Sequence, residues 1–359
     1  MAIPQPLRGK RVIELAQFIA GPTAAQLLAD FGAEVIKVEA PSGDGSRALP
    51  GTRFGSVYAR SFNTSKASIV IDTRNGEHRQ RLGAMLAEAD ALVCNLAPGA
   101  LRRLELDPAS IRKRFPHLVA TLVSGYGQED ERTCMDTIAQ CESGFAWLNG
   151  AEDGTPGVST SWPTDFFSGH YAALSTAMAL LDPAREGGCI IDVCMMEVAC
   201  AALLGPAALL VSEGGALGPP TGNRDRASAP SNVYPCSDGH VYIYGGLDPY
   251  WTKLRALVGG GVASLGERIS RAAEFDALVG AWTRTRSRDE VLEEMHRLGI
   301  PAGAVRHPGE AVERIRQARR GAVTSVLPSG EHVPSFPVLF DGERITRSPA
   351  PGVGGSKSP

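Results

Sequence analysis

The segment between Arg11 and Glu39 decides the fold. It reads Arg11-Val-Ile-Glu-Leu-Ala16, then Ala20-Gly-Pro-Thr23 followed by a helical stretch, then Ala33-Glu-Val-Ile-Lys-Val-Glu39. The first and last runs are short and apolar, as expected of buried strands. Between them, Pro22 suits the first turn of a helix and Gly32 suits its end. The segment therefore predicts a strand, a helix and a second strand, the unit from which parallel sheets are built.

The same alternation continues along the chain. Hydrophobic periodicity predicts, in order, helix 76–89, strand 91–94, helix 108–115, strand 117–124, a helix from near Phe166, strand 189–194 and an apolar helix to about Val211. Such repetition predicts an α/β fold with an open, Rossmann-like parallel sheet. Ligands are expected at the carboxyl ends of its strands.

The composition changes after Glu213. Gly, Pro, Asn and Arg dominate residues 213–227, which we interpret as a linker. A smaller α+β domain is predicted for residues 228–312, with a hairpin that turns at Asp238-Gly239 and helices at 248–258, 272–283 and 288–298. The large domain is predicted to comprise residues 1–212 and the returning segment 313–359, of which 348–359 is expected to be poorly ordered.

Charge and composition exclude several classes of protein. Of the 359 residues, 36 are Lys or Arg and 39 are Asp or Glu, with no dense basic block. We therefore expect no nucleic-acid partner. The most apolar stretch, Val198 to Val211, is short and contains Pro206, so a buried helix is favoured over a membrane span.

Seven cysteines show no paired short spacing. We expect reduced thiols, no metal site and a cytoplasmic location, since no segment of signal-peptide length opens the chain. Walker, His-Glu-x-x-His, G-x-S-x-G and complete G-x-G-x-x-G signatures are absent, and no tightly bound cofactor is expected.

The stretch Trp162-Pro-Thr-Asp-Phe-Phe-Ser-Gly-His-Tyr171 leads into the central predicted helix. Asp165 falls at or just before its first turn, where free backbone N–H groups and the helix dipole would keep a carboxylate ionised. From these residues alone Asp165 has two interpretations, a helix cap or a carboxylate nucleophile.

Four polar or glycine-bearing segments each follow a predicted strand end. They are Gln17-Phe-Ile-Ala-Gly-Pro22, Asn63-Thr-Ser-Lys66, Cys94-Asn-Leu-Ala-Pro-Gly-Ala-Leu-Arg-Arg103 and Ser124-Gly-Tyr-Gly-Gln128. In order and spacing they resemble the family III CoA-transferases, as does Ala139-Gln-Cys-Glu-Ser-Gly144. The resemblance runs from about Leu7 to Val198 and resumes at Gly222-Asn-Arg224, Asp238-Gly239 and Trp251.

This resemblance implies an interlocked homodimer and an enzyme that moves CoA between an acyl-CoA and a small organic acid. Asp165, followed by Ser168-Gly169, matches the position of the family's catalytic aspartate. The implied mechanism is attack of Asp165 on the thioester, through an aspartyl anhydride and thioester. The catalytic pocket would lie between the large domain of one subunit and the small domain of the other.

The resemblance also implies a set of binding residues. Asn95, Leu96 and Ala100 would line the nucleotide site, with Arg103 on a phosphate. By position, Gln17 or the backbone near Ala20 would line the pocket. Ser124 and Tyr126 would lie at the turn that flanks the pantetheine arm. Gly245-Gly246 would either donate to the oxyanion or form a plain turn. Additional cations, each either a ligand or a surface charge, are Lys37, Arg47, Lys66, Arg74 and Arg102.

Two alternatives stay open. The family includes α-methylacyl-CoA racemase, in which a histidine precedes the aspartate that matches Asp136, but Met135 occupies that place here. Racemisation or isomerisation is therefore disfavoured, although Asp248-Pro249 matches a racemase Glu-Pro, and His170 is the only nearby imidazole. The other alternative is a non-catalytic acyl-CoA-binding subunit of a heteromeric transferase. The acids exchanged are not determined by the sequence.

Overall fold

The computed structural model describes residues 3–203, 205–213, 218–318 and 324–355. Within these ranges the chain divides into two compact units. Unit 1 comprises residues 1–145, 159–215 and 315–359, and unit 2 comprises residues 146–158 and 216–314. Part of the predicted linker, residues 214–217, lies outside the described residues, and so do residues 356–359 of the tail.

Unit 1 contains a six-stranded sheet in which all the strands are parallel. The strands of this part of the chain are β1 Arg11–Leu15, β2 Glu34–Glu39, β3 Gly51–Thr52, β4 Gly55–Ser56, β5 Ala67–Val70, β6 Ala91–Cys94, β7 Val119–Ser124 and β8 Cys189–Cys194. The sheet order is β5-β2-β1-β6-β7-β8, and β3 and β4 form a separate small hairpin. The order reverses between β1 and β6, so a crevice is expected there at the carboxyl ends of the strands.

Helices cover both faces of this sheet. The helices of this part of the chain are α1 Ala20–Asp30, α2 Val57–Phe62, α3 Gly76–Ala87, α4 Pro98–Arg103, α5 Pro108–Arg114, α6 Asp136–Glu142, α7 Phe145–Leu148, α8 Pro163–Leu181, α9 Met195–Ala201 and α10 Gly205–Glu213, of which α7 lies almost entirely in unit 2. On one face the core includes residues of α1 and α8, such as Leu28 and Ala172. On the other face it includes residues of α3 and α5, such as Leu86 and Ile111. The predicted α/β sheet is confirmed, while the apolar helix to Val211 is two helices, α9 and α10.

Helix α8 packs on α1 through small side chains. Ser168, Gly169, Ala172 and Thr176 are buried, and a Cβ at Gly169 would lie 2.8 Å from the carbonyl oxygen of Ala20. Close approach of the two helices therefore requires glycine there. An apolar stripe on the opposite face of α8 points outward, with Tyr171, Leu174 and Met178 exposed by 51%, 58% and 55%.

Unit 2 is built on an antiparallel sheet of order β11-β10-β9. Its elements are β9 Ser231–Cys236, β10 Gly239–Tyr244, α11 Asp248–Val258, α12 Leu265–Ser270, α13 Ala272–Thr283, α14 Arg288–Leu298, β11 Ala302–Ala304 and α15 Pro308–Gln317, which ends in unit 1. The hairpin at Asp238-Gly239 and the three predicted helices are confirmed. Val241, Trp251, Phe275 and Val291 form its core.

The C-terminal segment packs within unit 1. A short hairpin, β12 Thr324–Val326 and β13 His332–Pro334, is followed by an extended stretch. The N–H of Ser68 in β5 donates to the carbonyl oxygen of Gly355 at 2.8 Å, and Arg347 pairs with the buried Asp30 at 2.5 Å. The expectation of poor order is therefore wrong for residues 348–355.

Candidate active site

Asp165 occupies the third position of α8, which begins at Pro163 rather than near Phe166. The helix follows Trp162, a residue with φ of 54° whose ring packs edge to face on Tyr58. One turn after Asp165, Gly169 contacts Ala20 and Thr23 at the start of α1. The half-buried Asp165 is thus placed at the end of the sheet where α1 begins, which is the carboxyl end of β1.

The free N–H groups of this first turn are taken by a different carboxylate. Asp136 Oδ1 accepts hydrogen bonds from the N–H of Thr164 at 2.8 Å, the N–H of Asp165 at 3.0 Å and the hydroxyl of Thr164 at 2.5 Å. Asp136 Oδ2 accepts from Nε2 of Gln140. The cap of α8 is therefore Asp136, and the interpretation of Asp165 as the cap is wrong.

The environment of Asp165 disfavours its ionised form. Burial, and then the negative charge of Asp136, raises the pKa of Asp165 from the ordinary 3.8 to about 7. No described residue donates a hydrogen bond to its carboxylate. The expectation that the helix N-terminus keeps Asp165 ionised is therefore corrected, because the donors that would do so already bind Asp136.

A crevice of about 420 Å³ lies at the carboxyl ends of β1 and β2, beside the start of α4. Five of the predicted residues line it together: Gln17, Arg74, Leu96, Ala100 and Arg103. Asn95 stands beside them, since its side chain accepts from the N–H of Gln17 at 2.9 Å and donates to the carbonyl oxygen of Gln17 at 2.8 Å. Asn95 follows β6, one of the two strands between which the sheet order reverses.

The first turn of α1 lies close both to Asn95 and to helix α8. On one side, a Cβ at Gly21 would lie 3.3 Å from Cγ of Asn95, and on the other side Ala20 and Thr23 contact Gly169. Ala20 itself is buried. The first turn of α1 therefore lies between Asn95, at the edge of the crevice, and Gly169, which is one turn along α8 from Asp165.

The predicted cations differ in their partners. Arg103 makes no ion pair or hydrogen bond through its side chain with any described residue. By contrast, Arg47 pairs with Glu39, Arg74 with Asp72 and Arg102 with Glu131. Sequence reasoning missed Arg79, which also lines the crevice and whose side chain likewise has no described partner. The one available signal was its place in the helix that follows β5.

Lys37 and Lys66 are fully buried. Lys37 pairs with Glu14 and Asp44 at 2.8 Å each, and Lys66 pairs with Glu14 at 2.6 Å. Their predicted contact with the nucleotide is therefore wrong, because both ammonium groups are used inside unit 1. A buried charge must be paired in this way.

Ser124 and Tyr126 lie at the end of β7. Ser124 is buried, with a hydroxyl that has no hydrogen-bond partner among the described residues. Tyr126 lines a separate crevice of about 560 Å³ with Arg102 and Gln128, and the guanidinium of Arg132 lies 3.8 Å from its ring centre. The structure thus places Tyr126 in a different crevice from Gln17 and Arg103.

Gly245 and Gly246 follow β10 in unit 2, and both are buried. The N–H of Gly245 donates to the carbonyl oxygen of Pro230 at 3.0 Å, and the N–H of Gly246 donates to the hydroxyl of Ser231 at 3.2 Å. Their predicted role as oxyanion donors is therefore wrong. They are packing glycines, since a Cβ at Gly246 would lie 2.3 Å from the backbone of Ala229.

Beside Asp165, the second carboxylate is Asp136, and both of its oxygens are hydrogen bonded. Met135 is 53% exposed. The Nδ1 atom of His170 is hydrogen bonded to the carbonyl oxygen of Phe166 at 2.7 Å, and its ring stacks on that of Phe166. The described residues also include no group of three or more His, Cys, Asp and Glu suited to a metal ion, and none of their helices is long and apolar enough to cross a membrane.

Comparison with known proteins identifies the family of this chain. The model of the CoA-transferase family III matches residues 7–357. The chain is 32% identical over 322 residues to succinyl-CoA–D-citramalate CoA-transferase of Chloroflexus aurantiacus, covering 84% of this chain and 79% of that protein. It is 30% identical over 322 residues to succinate–glutarate CoA-transferase of Agrobacterium fabrum, covering 84% and 80% of the two chains.

The fold comparison points the same way. A crystal structure of a CaiB/BaiF family protein from Brucella suis superimposes with a TM-score of 0.84 at 29% identity, over 99% of this chain and 96% of that one. The parallel sheet therefore belongs to a shared architecture, and this chain is a member of the family III CoA-transferases.

Proposed function

We propose that the protein transfers CoA from an acyl-CoA to a small organic acid, with Asp165 as the nucleophile. A carboxylate oxygen of Asp165 bonds to the thioester carbonyl carbon, the C–S bond breaks, and CoA leaves as the thiolate. The thiolate then attacks the aspartyl carbonyl of the anhydride, which releases the donor acid and leaves an aspartyl thioester. The acceptor carboxylate repeats the two steps in reverse, so that it gains CoA and Asp165 is regenerated.

One observation carries this proposal. Asp165 is a half-buried carboxylate with no donor among the described residues, at the same end of the sheet as the crevice at its reversal point. A carboxylate that lacks hydrogen bonds keeps its electron pairs for attack on carbon. Most buried carboxylates are paired, so this arrangement favours chemistry over a structural role.

The crevice would hold the nucleotide of CoA. Arg103, with Arg79 beside it, would bind a phosphate, because a guanidinium without a protein partner can form paired hydrogen bonds with an anion. Asn95, Leu96 and Ala100 would line the adenine and ribose. The pantetheine arm would then cross the first turn of α1 to bring the thioester to Asp165, with Gln17 at the crossing and Ser124 and Tyr126 as candidate flanking residues.

We further propose a homodimer. Tyr171, Leu174 and Met178 are more than half exposed along one face of α8. Phe31, Leu27 and Phe336 add to the same apolar surface, around a groove of about 440 Å³. A second copy would cover this surface, in the interlocked arrangement expected from the family. Seven unpaired cysteines support a cytoplasmic location.

The domain assignment remains part of the proposal. Residues 1–212 with 313–359 would bind CoA, and residues 228–312 would form the smaller domain after the 213–227 linker. No tightly bound cofactor is proposed, because CoA and the acyl group serve as substrates.

A second candidate is racemisation or isomerisation of an acyl-CoA. The pKa of Asp165, raised to about 7 by burial and by Asp136, would suit an acid–base role at an α-carbon. That reaction needs a base on each face of the carbon, and the exposed Met135 stands where the racemase has its histidine. Deuterium incorporation at the α-carbon without an acceptor acid would select this candidate. A third candidate, a non-catalytic subunit, is excluded if the purified chain transfers CoA alone.

Trapping the covalent intermediate tests the first candidate. The protein is incubated with a panel of acyl-CoAs, treated with hydroxylamine and digested, and peptide masses are measured. We expect a hydroxamate on Asp165 with the donor that is used. Asp165→Ala should show no such adduct and should lose roughly 10⁴-fold or more of the transfer rate while binding CoA as before. Unchanged turnover in Asp165→Ala would refute the role of Asp165.

A further inference from the structure

The chemistry proposed for Asp165 assigns nothing to the second carboxylate beside it. Asp136 begins α6 and is 3% exposed. Its Oδ1 binds two backbone N–H groups and a hydroxyl in the first turn of α8, and its Oδ2 binds Gln140. Asp136 is therefore held by four donors, whereas no described group donates to Asp165.

Gln140 is itself fixed in one orientation. Its Oε1 accepts from the N–H of Ser159 at 2.8 Å, and its Nε2 donates to the carbonyl oxygen of Ser159 at 2.8 Å. The amide cannot be reversed without losing both bonds, so Nε2 must face Asp136. This arrangement holds the Asp136 carboxylate against the start of α8 and keeps its charge next to Asp165.

A helix N-terminus normally lowers the pKa of a nearby carboxyl, because its free N–H groups stabilise the ionised form. Here the N–H groups of Thr164 and Asp165 are directed to Asp136 instead. Asp165 is thus at a helix N-terminus without that stabilisation, and it faces a negative charge. A less stabilised carboxylate is more basic and a stronger nucleophile.

We infer that Asp136 is a positioning residue for the reaction of Asp165: it takes the donors of the α8 N-terminus and leaves the Asp165 carboxylate without any. The inference rests on the proposed role of Asp165 as nucleophile. It assigns to Asp136 control over the pH range and the strength of that nucleophile.

The other titratable groups near this turn come from the same region of unit 1. Cys134 precedes α6. Burial raises the pKa of its thiol most, and the charges of Glu142 and Asp165 raise it further. Asp136 is the one described group whose charge shifts the pKa of Asp165. Glu142, at the other end of α6, pairs with Arg132 at 3.7 Å and makes Glu142→Gln a matched control.

The test compares the pH dependence of acylation in wild type, Asp136→Asn and Glu142→Gln. Thiolate release in a single turnover is measured from pH 5 to pH 8, and the Asp165 carboxyl is titrated by ¹³C NMR, with the signal assigned by its loss in Asp165→Asn. We expect wild type and Glu142→Gln to titrate near 7 and Asp136→Asn at a lower pH but still above the ordinary 3.8, because burial, the larger cause of the shift, remains. Asp136→Asn should then acylate faster than wild type at pH 5 and more slowly at pH 8.

A uniform loss of rate with an unchanged midpoint would mean that Asp136 is structural only, and would overturn the inference. Asp136→Ser, which also lacks the charge but presents no donor to Gln140, serves if Asp136→Asn does not fold. The wild-type titration decides without any variant, because a midpoint near the ordinary 3.8 would overturn the inference. The NMR titration of Asp165 detects the effect of Asp136 even if no acylation occurs. A failure of the nucleophile assignment can therefore be told apart from a failure of this inference.

Discussion

Charges in two regions of unit 1 are treated in opposite ways. Beneath the ends of β1 and β2, Lys37 and Lys66 are fully buried and share Glu14 between them. At the crevice and at the start of α8, Arg103 and Asp165 have no partner of opposite charge among the described residues. The first region stabilises the fold, and the second has charges left for a ligand. The two regions differ in whether their charged side chains are paired within the protein, and not in the types of residue that they contain.

The largest effect among the variants that probe this contrast is expected for Lys66→Met. The ammonium of Lys66 binds Glu14, the carbonyl oxygen of Pro22 at 2.9 Å and Asn63 at 3.0 Å. Its loss leaves part of a buried carboxylate unpaired, so the free energy of unfolding should fall by about 3–5 kcal/mol. Urea unfolding measures this.

Lys10→Met is the matched control for Lys66→Met. Lys10 pairs with Asp90 at 3.0 Å, but both side chains are about one third exposed. A solvated pair contributes less, so Lys10→Met should cost about 1 kcal/mol or less. Equal losses in the two variants would remove the distinction between the regions.

Arg103→Ala should affect binding rather than stability. If Arg103 holds a phosphate of CoA, its removal should weaken CoA affinity by about 10- to 100-fold, the value of one charge-assisted contact. The acylation rate at saturating acyl-CoA should change little. Isothermal titration with CoA and single-turnover kinetics measure the two quantities.

The neighbouring Arg102→Ala provides the comparison for Arg103→Ala. Arg102 already pairs with Glu131 and lines the crevice beside Tyr126. We expect a change in CoA affinity of less than about threefold, as for an exposed ion pair. If Arg102→Ala weakened binding as much as Arg103→Ala, an unpartnered guanidinium would not identify the phosphate site.

A small effect of opposite sign, a gain in stability, is expected for Asp165→Asn. The pKa of Asp165 is raised on folding to about 7 by burial and by Asp136, so the folded state binds the proton more tightly than the unfolded state. The resulting stability is fully present below pH 4 and is lost as the pH rises through 7. Asparagine is neutral throughout. Asp165→Asn should therefore gain about 1 kcal/mol at pH 8, after allowance for partial exposure, and nothing at pH 4. Urea unfolding at the two pH values measures the difference, and an equal gain at both would contradict the raised pKa.

Several parts of the fold were predictable because their signals are local. Strand 91–94, strand 189–194 and helix 272–283 were predicted with the observed bounds. Short apolar runs and capping residues determine such elements, whatever packs around them. Asp165 was also predictable, through its place after a polar turn and the family resemblance.

Other parts depended on contacts between distant residues. The apolar stripe of α8 predicted a helix correctly but not which face would be buried, because Gly169 and Ala172 allow α1 to approach closely on the opposite face. Asp136 was visible in the sequence, but its hydrogen bonds to Thr164 and Asp165 span 28 and 29 residues. Gly245 and Gly246 matched a catalytic loop by position, while their N–H groups bind Pro230 and Ser231.

The sequence by itself determined the order of strands and helices along the chain, because that order follows from periodicity and short-range motifs, and the family resemblance pointed to Asp165. The tertiary structure alone decided which charges are paired. Pairing depends on which side chains are brought together from remote segments and on how far water is excluded from them, and neither is encoded in any single stretch of sequence.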